Sequence, residues 1–206
     1  MTSKKDCPNP RGILLVISGP SGAGKGTICK ELMCQMPELN YSVSATSRSP
    51  RPGEADGVNY FFYSRAEFER LIAEDQLLEW AEVYNNLYGT PRSYVENMLR
   101  QDRDVILEID IQGARQVKRH FPEGVFVFVV PPNLEELARR LQGRCTDSEE
   151  DIRLRLNLAG DEIKSATEYD YVIVNDDVKR AVSELGQIIQ KEKCGLGKPV
   201  TREHLS

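Results

Sequence analysis

The chain alternates between short, continuous apolar segments and longer amphipathic ones. The continuous apolar segments are residues 13–18, 105–109, 125–130 and 171–174. Strands without polar alternation are typical of a parallel sheet that helices cover on both faces. The amphipathic segments between them predict helices, and Asn133 with Glu136 forms a predicted capping pair for one of these. This order of strands and helices predicts a right-handed, three-layer α/β core with a mostly parallel sheet.

Residues 42–94 follow a different pattern, that of short strands with alternating positions. Segments from Val43, at 60–63 and at 77–84 alternate in the manner of antiparallel strands, and Asn85 and Asn86 suit the turn of a hairpin. Between them, Ser64 and Glu67 form the predicted capping box of a short helix. The pattern therefore predicts a small mixed α/β lobe inserted into the parallel core.

Length, charge and cysteine content narrow the class of protein. The 206 residues suit one α/β domain with small inserted lobes. A net charge of −5 argues against general binding to nucleic acid or to an anionic membrane surface, so a phosphate site must be a local cluster of basic groups. Five scattered cysteines and two histidines offer no zinc cluster at a recognisable spacing. We expect reduced thiols in a cytoplasmic protein, because the polar N-terminus lacks a secretory segment and the apolar runs are too short to span a bilayer.

A glycine-rich segment follows the first predicted strand and opens a helix that should continue to about Met36. Its glycines allow backbone N–H groups to surround phosphate oxygens, and Lys25 adds a full positive charge near the β- and γ-phosphates of a nucleotide. A glycine-rich turn with a solvated lysine is the alternative, but the strand before and the helix after favour a phosphate loop. The residues predicted to bind ATP here are Gly19, Pro20, Ser21, Gly22, Ala23, Gly24, Lys25, Gly26 and Thr27.

One position departs from the usual phosphate-loop pattern. Gly26 stands where Ser or Thr normally follows the lysine and reaches Mg²⁺ with its hydroxyl group. Either the metal is held mainly by the nucleotide and water, or the loop binds phosphate without efficient use of metal. This ending is similar to that found in nucleoside monophosphate kinases, which favours the first interpretation and assigns Thr27 to the α-phosphate.

A second basic group lies in a proline-rich segment. Arg48 and Arg51 are three residues apart among prolines, which restrict the loop and reduce the entropy lost when it becomes ordered. A planar guanidinium group matches the oxygens of a phosphate. Taken alone, the segment could equally be a solvated basic loop.

Several separated motifs together resemble the guanylate kinase family. They are GPSGAGKGT, SVSATSRSPRPGE followed by Gly57 and Tyr60, LLEWAEVYNNLYGTPR, ILEIDIQGA, PPNLEELARRLQGR and VIVNDD. The resemblance covers about residues 11–191. It implies a P-loop kinase core at 11–41, 95–137 and 168–191, a GMP-binding lobe at 42–94, a short helical lid at 138–167 and a C-terminal tail at 192–206. The implied reaction is ATP + GMP giving ADP + GDP, with Mg²⁺ bound through the ATP phosphates and water rather than by a protein metal site.

The resemblance also assigns residues to each substrate. Those implied to face guanine are Ser44, Glu79, Thr90 and Asp110, and those implied to bind the GMP phosphate are Arg48, Arg51, Tyr60 and Tyr88. The lid arginines are Arg140, Arg144 and Arg155, which join Lys25, Arg48 and Arg51 as the implied catalytic groups. Asn175 lies where the family holds the adenine of ATP. Arg139 and Arg153 are expected to be solvated residues of helix faces.

The chemistry of the base supports the assignment of Glu79. Guanine presents N1–H and its 2-amino group as donors, for which a buried carboxylate is the natural partner, whereas adenine presents an acceptor at N1. The alternative is an exposed acid at a strand end beside Trp80. For Asp110 three roles remain open, namely contact with guanine, proximity to Mg²⁺, and orientation of Arg51.

Two other functions compete with this interpretation. The same fold could use another acceptor, such as AMP or a modified guanylate. A related scaffolding module, which binds peptides without catalysis, is disfavoured because Lys25 and the loop glycines are intact. The expected partners are ATP and GMP, with dGMP as a further acceptor, and we expect no nucleic acid, membrane or obligatory protein partner.

Overall fold

A parallel five-stranded sheet lies at the centre of a computed structural model, which describes residues 12–83, 85–142 and 149–195. The strands are β1 Leu14–Ser18, β2 Asn40–Tyr41, β3 Ala45–Thr46, β4 Phe61–Phe62, β5 Leu77–Val83, β6 Asn86–Pro91, β7 Val105–Glu108, β8 Val125–Val130 and β9 Tyr171–Val174. The helices are α1 Lys25–Gln35, α2 Arg65–Ala73, α3 Arg92–Arg100, α4 Ile111–His120, α5 Leu134–Gln142, α6 Glu149–Lys164 and α7 Val178–Lys193, with a short 3₁₀ helix at Ser165–Glu168. The central sheet has the order β2-β7-β1-β8-β9, and all of its strands are parallel.

Strand β1 shows why continuous apolar segments form this sheet. All five of its residues are buried, because successive side chains point to opposite faces and helices cover both. Leu15 and Ile17 pack in the cluster that contains residues of α1 and α7, whereas Leu14 and Val16 pack in the cluster that contains residues of α3 and α4. The predicted three-layer core is therefore confirmed, together with its four strands. Strand β2 was not predicted, since two residues carry no readable period.

The predicted lobe contains a second sheet with the order β4-β3-β6-β5. Strands β5 and β6 form the predicted hairpin, but Asn86 already pairs with Val83, so Asn86 belongs to β6 and not to the turn. The prediction of antiparallel strands is confirmed for the pairs β3–β6 and β5–β6. It is wrong for the pair β3–β4, which is parallel because the chain crosses back along the sheet before β4 begins. The capping box of Ser64 and Glu67 at the start of α2 is confirmed.

The described residues bear on two further expectations. None of the helices in the described ranges is long and apolar enough to cross a membrane. Cys29 and Cys34 are free thiols, as expected. The expectation of reduced thiols is wrong for Cys194, which is disulfide-bonded in the structure.

Candidate active site

A cavity of about 490 Å³ lies at the carboxyl edge of the central sheet, and residues of both sheets line it. This edge is where ligands bind in open α/β sheets, because the turns that follow the strands lie together there. Its lining includes eight of the predicted site residues, namely Gly19, Ser21, Lys25, Ser44, Tyr60, Glu79, Tyr88 and Asp110. The volume is in the range of small-molecule sites.

The phosphate loop connects β1 to α1 and is folded against the central sheet. At Gly19, φ is 139°, and a Cβ atom would lie 2.1 Å from the carbonyl oxygen of Val129, so only glycine fits. Lys25 turns back over the loop and its Nζ donates to the carbonyl oxygens of Gly19 at 2.5 Å and Pro20 at 3.1 Å. Burial lowers the pKa of Lys25. The loop therefore concentrates backbone donors and one buried ammonium group at the start of a helix, as an anion site requires.

Asn175 and Arg140 brace the phosphate loop from the other side. Asn175 follows β9, is buried, and donates from Nδ2 to the carbonyl oxygen of Ala23 at 2.7 Å. Arg140, near the end of α5, donates to the carbonyl oxygen of Asn175 at 2.8 Å and to Glu136 at 2.8 Å. Asn175 thus contacts the phosphate loop directly and Arg140 contacts Asn175, although neither residue lines the cavity.

The start of α5 is capped as predicted. The side-chain oxygen of Asn133 accepts a bond from the N–H of Glu136 at 2.7 Å.

Helix α6 presents one face to the cavity. Arg155 donates to the hydroxyl oxygen of Ser21 at 3.2 Å, and Leu158 and Glu162 line the cavity. Spacings of three and four residues place these three side chains on the same helix face. Arg139 and Arg153 are exposed, as expected for solvated positions. Arg144, the remaining predicted lid arginine, lies outside the described residues.

Glu79 is a buried acid of the cavity, on the side that the second sheet forms. It lies on β5, is only 4% exposed, and its Oε1 accepts a bond from the hydroxyl group of Thr90 on β6 at 2.6 Å. Burial raises the pKa of Glu79 to about 8, the Thr90 bond opposes that shift, and the charge of Asp110 adds to it. The alternative of an exposed acid at a strand end does not fit this burial. Thr90 itself is fully buried and contacts Glu79 rather than the cavity.

Asp110 has a position that the three open roles did not include. It is the N-cap of α4, where its Oδ1 accepts a bond from the N–H of Gly113 at 2.7 Å. The same side chain lines the cavity, so Asp110 orients the start of α4 and presents a carboxylate to the site. Gly113 in turn lies against Glu79, since a Cβ atom at position 113 would be 2.3 Å from Oε2 of Glu79.

Replacing Gly113 with Ala should therefore displace Glu79. The sequence predicts that Glu79 recognises guanine, so we expect the KM for GMP to rise at least tenfold, because misplacement by about 1 Å can cost up to about 10²-fold. Steady-state kinetics with varied GMP would measure this. Gly186→Ala in α7 is the matched control, since nothing lies within 4 Å of its added Cβ atom. Equal KM values for GMP in the two variants would contradict the expectation.

Arg48 lies beside aromatic residues that line the cavity. Its guanidinium group forms a two-point ion pair with Glu54, at 2.7 Å for each nitrogen, and lies 5.1 Å from the ring centre of Tyr60. The rings of Tyr60 and Tyr88 meet edge to face, 6.0 Å apart. The bond from Arg48 lowers the pKa of Glu54 to about 2. The predicted group of Arg48, Tyr60 and Tyr88 is therefore brought together, whereas the side chain of Arg51 is exposed.

Sequence reasoning missed three acids of the cavity, namely Glu82, Glu108 and Glu162, and one acid beside it, Glu54. Glu108 ends β7, lines the cavity, and accepts a bond from the hydroxyl group of Tyr41 at 3.2 Å. Glu162 approaches from α6, and Glu54 holds Arg48. A polar residue at the end of an otherwise apolar strand was a usable signal for Glu108. Gly26 is exposed, and a Cβ atom there would be 3.4 Å from both carboxylate oxygens of Glu108, so a glycine leaves this acid room beside the loop.

A phosphate loop at the edge of a parallel sheet, facing a cavity that a second sheet closes, defines a P-loop kinase fold. The family model described as guanylate kinase matches residues 11–192. The chain is 57% identical over 183 residues to the guanylate kinase of Desulfitobacterium hafniense, covering 89% of this chain and 92% of that protein. It is 53% identical to the guanylate kinase of Clostridioides difficile, with 89% of each chain covered. The crystal structure of guanylate kinase from Anaplasma phagocytophilum superposes with a TM-score of 0.76 at 34% identity, covering 90% of this chain and 88% of that one. The chain belongs to the guanylate kinase family.

Proposed function

We propose that this protein is a cytoplasmic ATP:GMP phosphotransferase, which transfers the γ-phosphate of ATP to GMP. One observation carries the proposal, namely that a single cavity connects the phosphate-loop lysine, Lys25, with a buried base-recognition acid, Glu79. Membership of the guanylate kinase family supports the same reaction. The proposal includes dGMP as a further acceptor, and it requires no nucleic acid, membrane or second protein.

In this proposal each part of the chain binds one part of the substrates. The core, residues 11–41, 95–137 and 168–191, holds ATP through the loop amides, Lys25 and Thr27. The lobe, residues 42–94, holds GMP, with the base at Glu79 and the phosphate at Arg48. The groups proposed to complete these two sites are Ser44, Thr90 and Asp110 for guanine, Arg51, Tyr60 and Tyr88 for the GMP phosphate, and Asn175 for ATP.

The chemical step needs positioning and charge neutralisation rather than a general base. An oxygen of the GMP phosphate is already an anionic nucleophile, so it attacks the γ-phosphorus in line while the bond to the β-phosphate oxygen breaks and ADP leaves. Lys25 and the lid arginines, Arg140, Arg144 and Arg155, neutralise the charge on the transferred group. The contact of Arg155 with Ser21 supports this role, because it places a guanidinium group beside the phosphate loop.

The cavity fits a Mg²⁺ ion that arrives with the nucleotide. Among the described residues, no three acidic, histidine or cysteine side chains are close enough to hold a metal by themselves. Glu108 and Asp110 nevertheless line the same cavity as Lys25. Mg²⁺ usually keeps several waters and binds through phosphates, so these carboxylates would hold it through its water ligands. The ion would supply positive charge to the ATP phosphates.

A panel of acceptors tests the proposal directly. ATP and Mg²⁺ would be supplied with GMP, dGMP, AMP, CMP or UMP, and ADP formation would be followed by a coupled assay. We expect GMP to have the highest kcat/KM. A higher value with AMP would overturn the choice of acceptor, and turnover at background with every nucleotide would favour a binding module instead.

The binding of GMP should depend on pH through Glu79. Burial raises the pKa of the Glu79 carboxyl group to about 8, and guanine donors favour its ionised form, so binding at lower pH must first remove a proton. We expect the Kd for GMP to rise about fivefold from pH 8 to pH 7, and about one proton to be released per GMP bound at pH 7. Calorimetry in buffers of different ionisation enthalpy would measure both quantities. The same pH dependence in Glu79→Gln would contradict this assignment.

A further inference from the structure

The backbone of β5 has a partner from outside its own sheet. β5 is an edge strand, with β6 on one side only, and the other side of Trp80 faces helix α4. There the side-chain amide of Gln116 donates from Nε2 to the carbonyl oxygen of Trp80 at 2.6 Å and accepts from its N–H at 3.2 Å. The side-chain amide of Gln116 thus forms hydrogen bonds with both backbone polar groups of Trp80, the N–H and the carbonyl oxygen, as a neighbouring strand would do.

The contact between Gln116 and Trp80 lies next to a point where the pairing of β5 with β6 is irregular. The register between β5 and β6 is irregular from Leu77 to Glu79, immediately before Trp80. An irregular ladder bends a strand locally and can redirect its side chains. Glu79 itself makes one side-chain hydrogen bond to Thr90 and lies against the backbone of Gly113. The position of the carboxyl group therefore depends on how the strand is held at its next residue.

We propose that Gln116 is a positioning residue for the recognition of the acceptor base, which acts by holding Trp80 and thereby Glu79 against helix α4. Gln116 is not among the residues that line the cavity, and it connects the helix capped by Asp110 to the strand that carries Glu79. The inference rests on the proposed function, because Glu79 must recognise guanine for the position of its carboxyl group to matter.

Gln116→Leu keeps approximately the size of the side chain and removes both hydrogen bonds. We expect the KM for GMP to rise about tenfold, the KM for ATP to stay within about twofold, and kcat to change little. The matched control is Gln76→Leu in the same lobe, since among the described residues the Gln76 side-chain amide bonds to the exposed Glu74 and to no other group. Thermal unfolding would show that both variants fold, and an equal rise in the two KM values would overturn the inference.

A double-mutant cycle separates positioning from general loss of stability. If Gln116 acts through Glu79, the Leu substitution should change kcat/KM for GMP by less than about twofold in the Glu79→Gln background, because the group it positions is already lost. Full additivity of the two substitutions would overturn the inference. Failure of the wild-type protein to use GMP would instead overturn the proposed function, whereas an unchanged KM for GMP in Gln116→Leu would leave that function intact and refute only the positioning role.

Discussion

Replacing Glu79 with Gln should lower kcat/KM for GMP by about 10³-fold to 10⁴-fold and leave the low activity with AMP unchanged or higher. The carboxamide keeps one acceptor, which Thr90 can use in place of Oε1. It then presents two N–H donors where the carboxylate accepted, and these meet the N1–H and 2-amino donors of guanine. Buried donors that face each other without an acceptor are costly, and this cost falls on GMP alone.

Steady-state kinetics with GMP and AMP would measure this selectivity. The control variant makes the same Glu-to-Gln replacement at an exposed position. Glu69→Gln on the exposed face of α2, where Glu69 pairs with Arg65, should retain the wild-type kcat/KM for both nucleotides. A similar loss with GMP and AMP in Glu79→Gln would indicate general damage to the site rather than base recognition. The pH dependence of GMP binding should disappear in the same variant, since Gln does not titrate.

Replacing Lys25 with Met should lower kcat by about 10³-fold, because a charge aimed at the transferred phosphoryl group is lost while the length of the side chain is nearly kept. The ammonium group is buried among the loop carbonyls, and a charge in such a site acts with little solvent screening. We expect the Kd for GMP to change little, because the groups proposed to bind GMP lie in the lobe of residues 42–94 and at the start of α4.

Single-turnover kinetics would separate the chemical step from binding, and Lys30→Met gives the matched control. Lys30 is exposed on the same helix, so its loss should leave kcat unchanged. Thermal unfolding is needed as well, since Met cannot donate to the carbonyl oxygens of Gly19 and Pro20. A Lys25→Met variant that folds and keeps kcat within tenfold of the wild type would contradict the placement of the γ-phosphate at this loop.

Patterns within a few residues were sufficient to predict much of the fold. The continuous apolar segments became β1, β7, β8 and β9, because a strand that is covered on both faces is apolar along most of its length. The phosphate loop could be predicted as well, since its donors come from consecutive backbone groups and from Lys25 within the same turn. The capping box at Ser64 is equally local. The candidate residues for GMP came from family motifs and not from periodicity.

Contacts between distant residues required the tertiary structure. No local pattern shows that Gly113 approaches Glu79, that Arg140 and Asn175 meet at Ala23, or that Gln116 completes the edge of β5.

By itself, then, the sequence determined four of the five strands of the parallel core, the phosphate loop and the kind of chemistry the loop supports. Each of these depends on backbone periodicity or on donors that are adjacent in the chain. Only the tertiary structure decided the parallel pairing of β3 with β4, the burial that raises the pKa of Glu79, and the shared cavity that joins Glu79 to Lys25. These features depend on which faces pack together, and packing is a property of the whole chain.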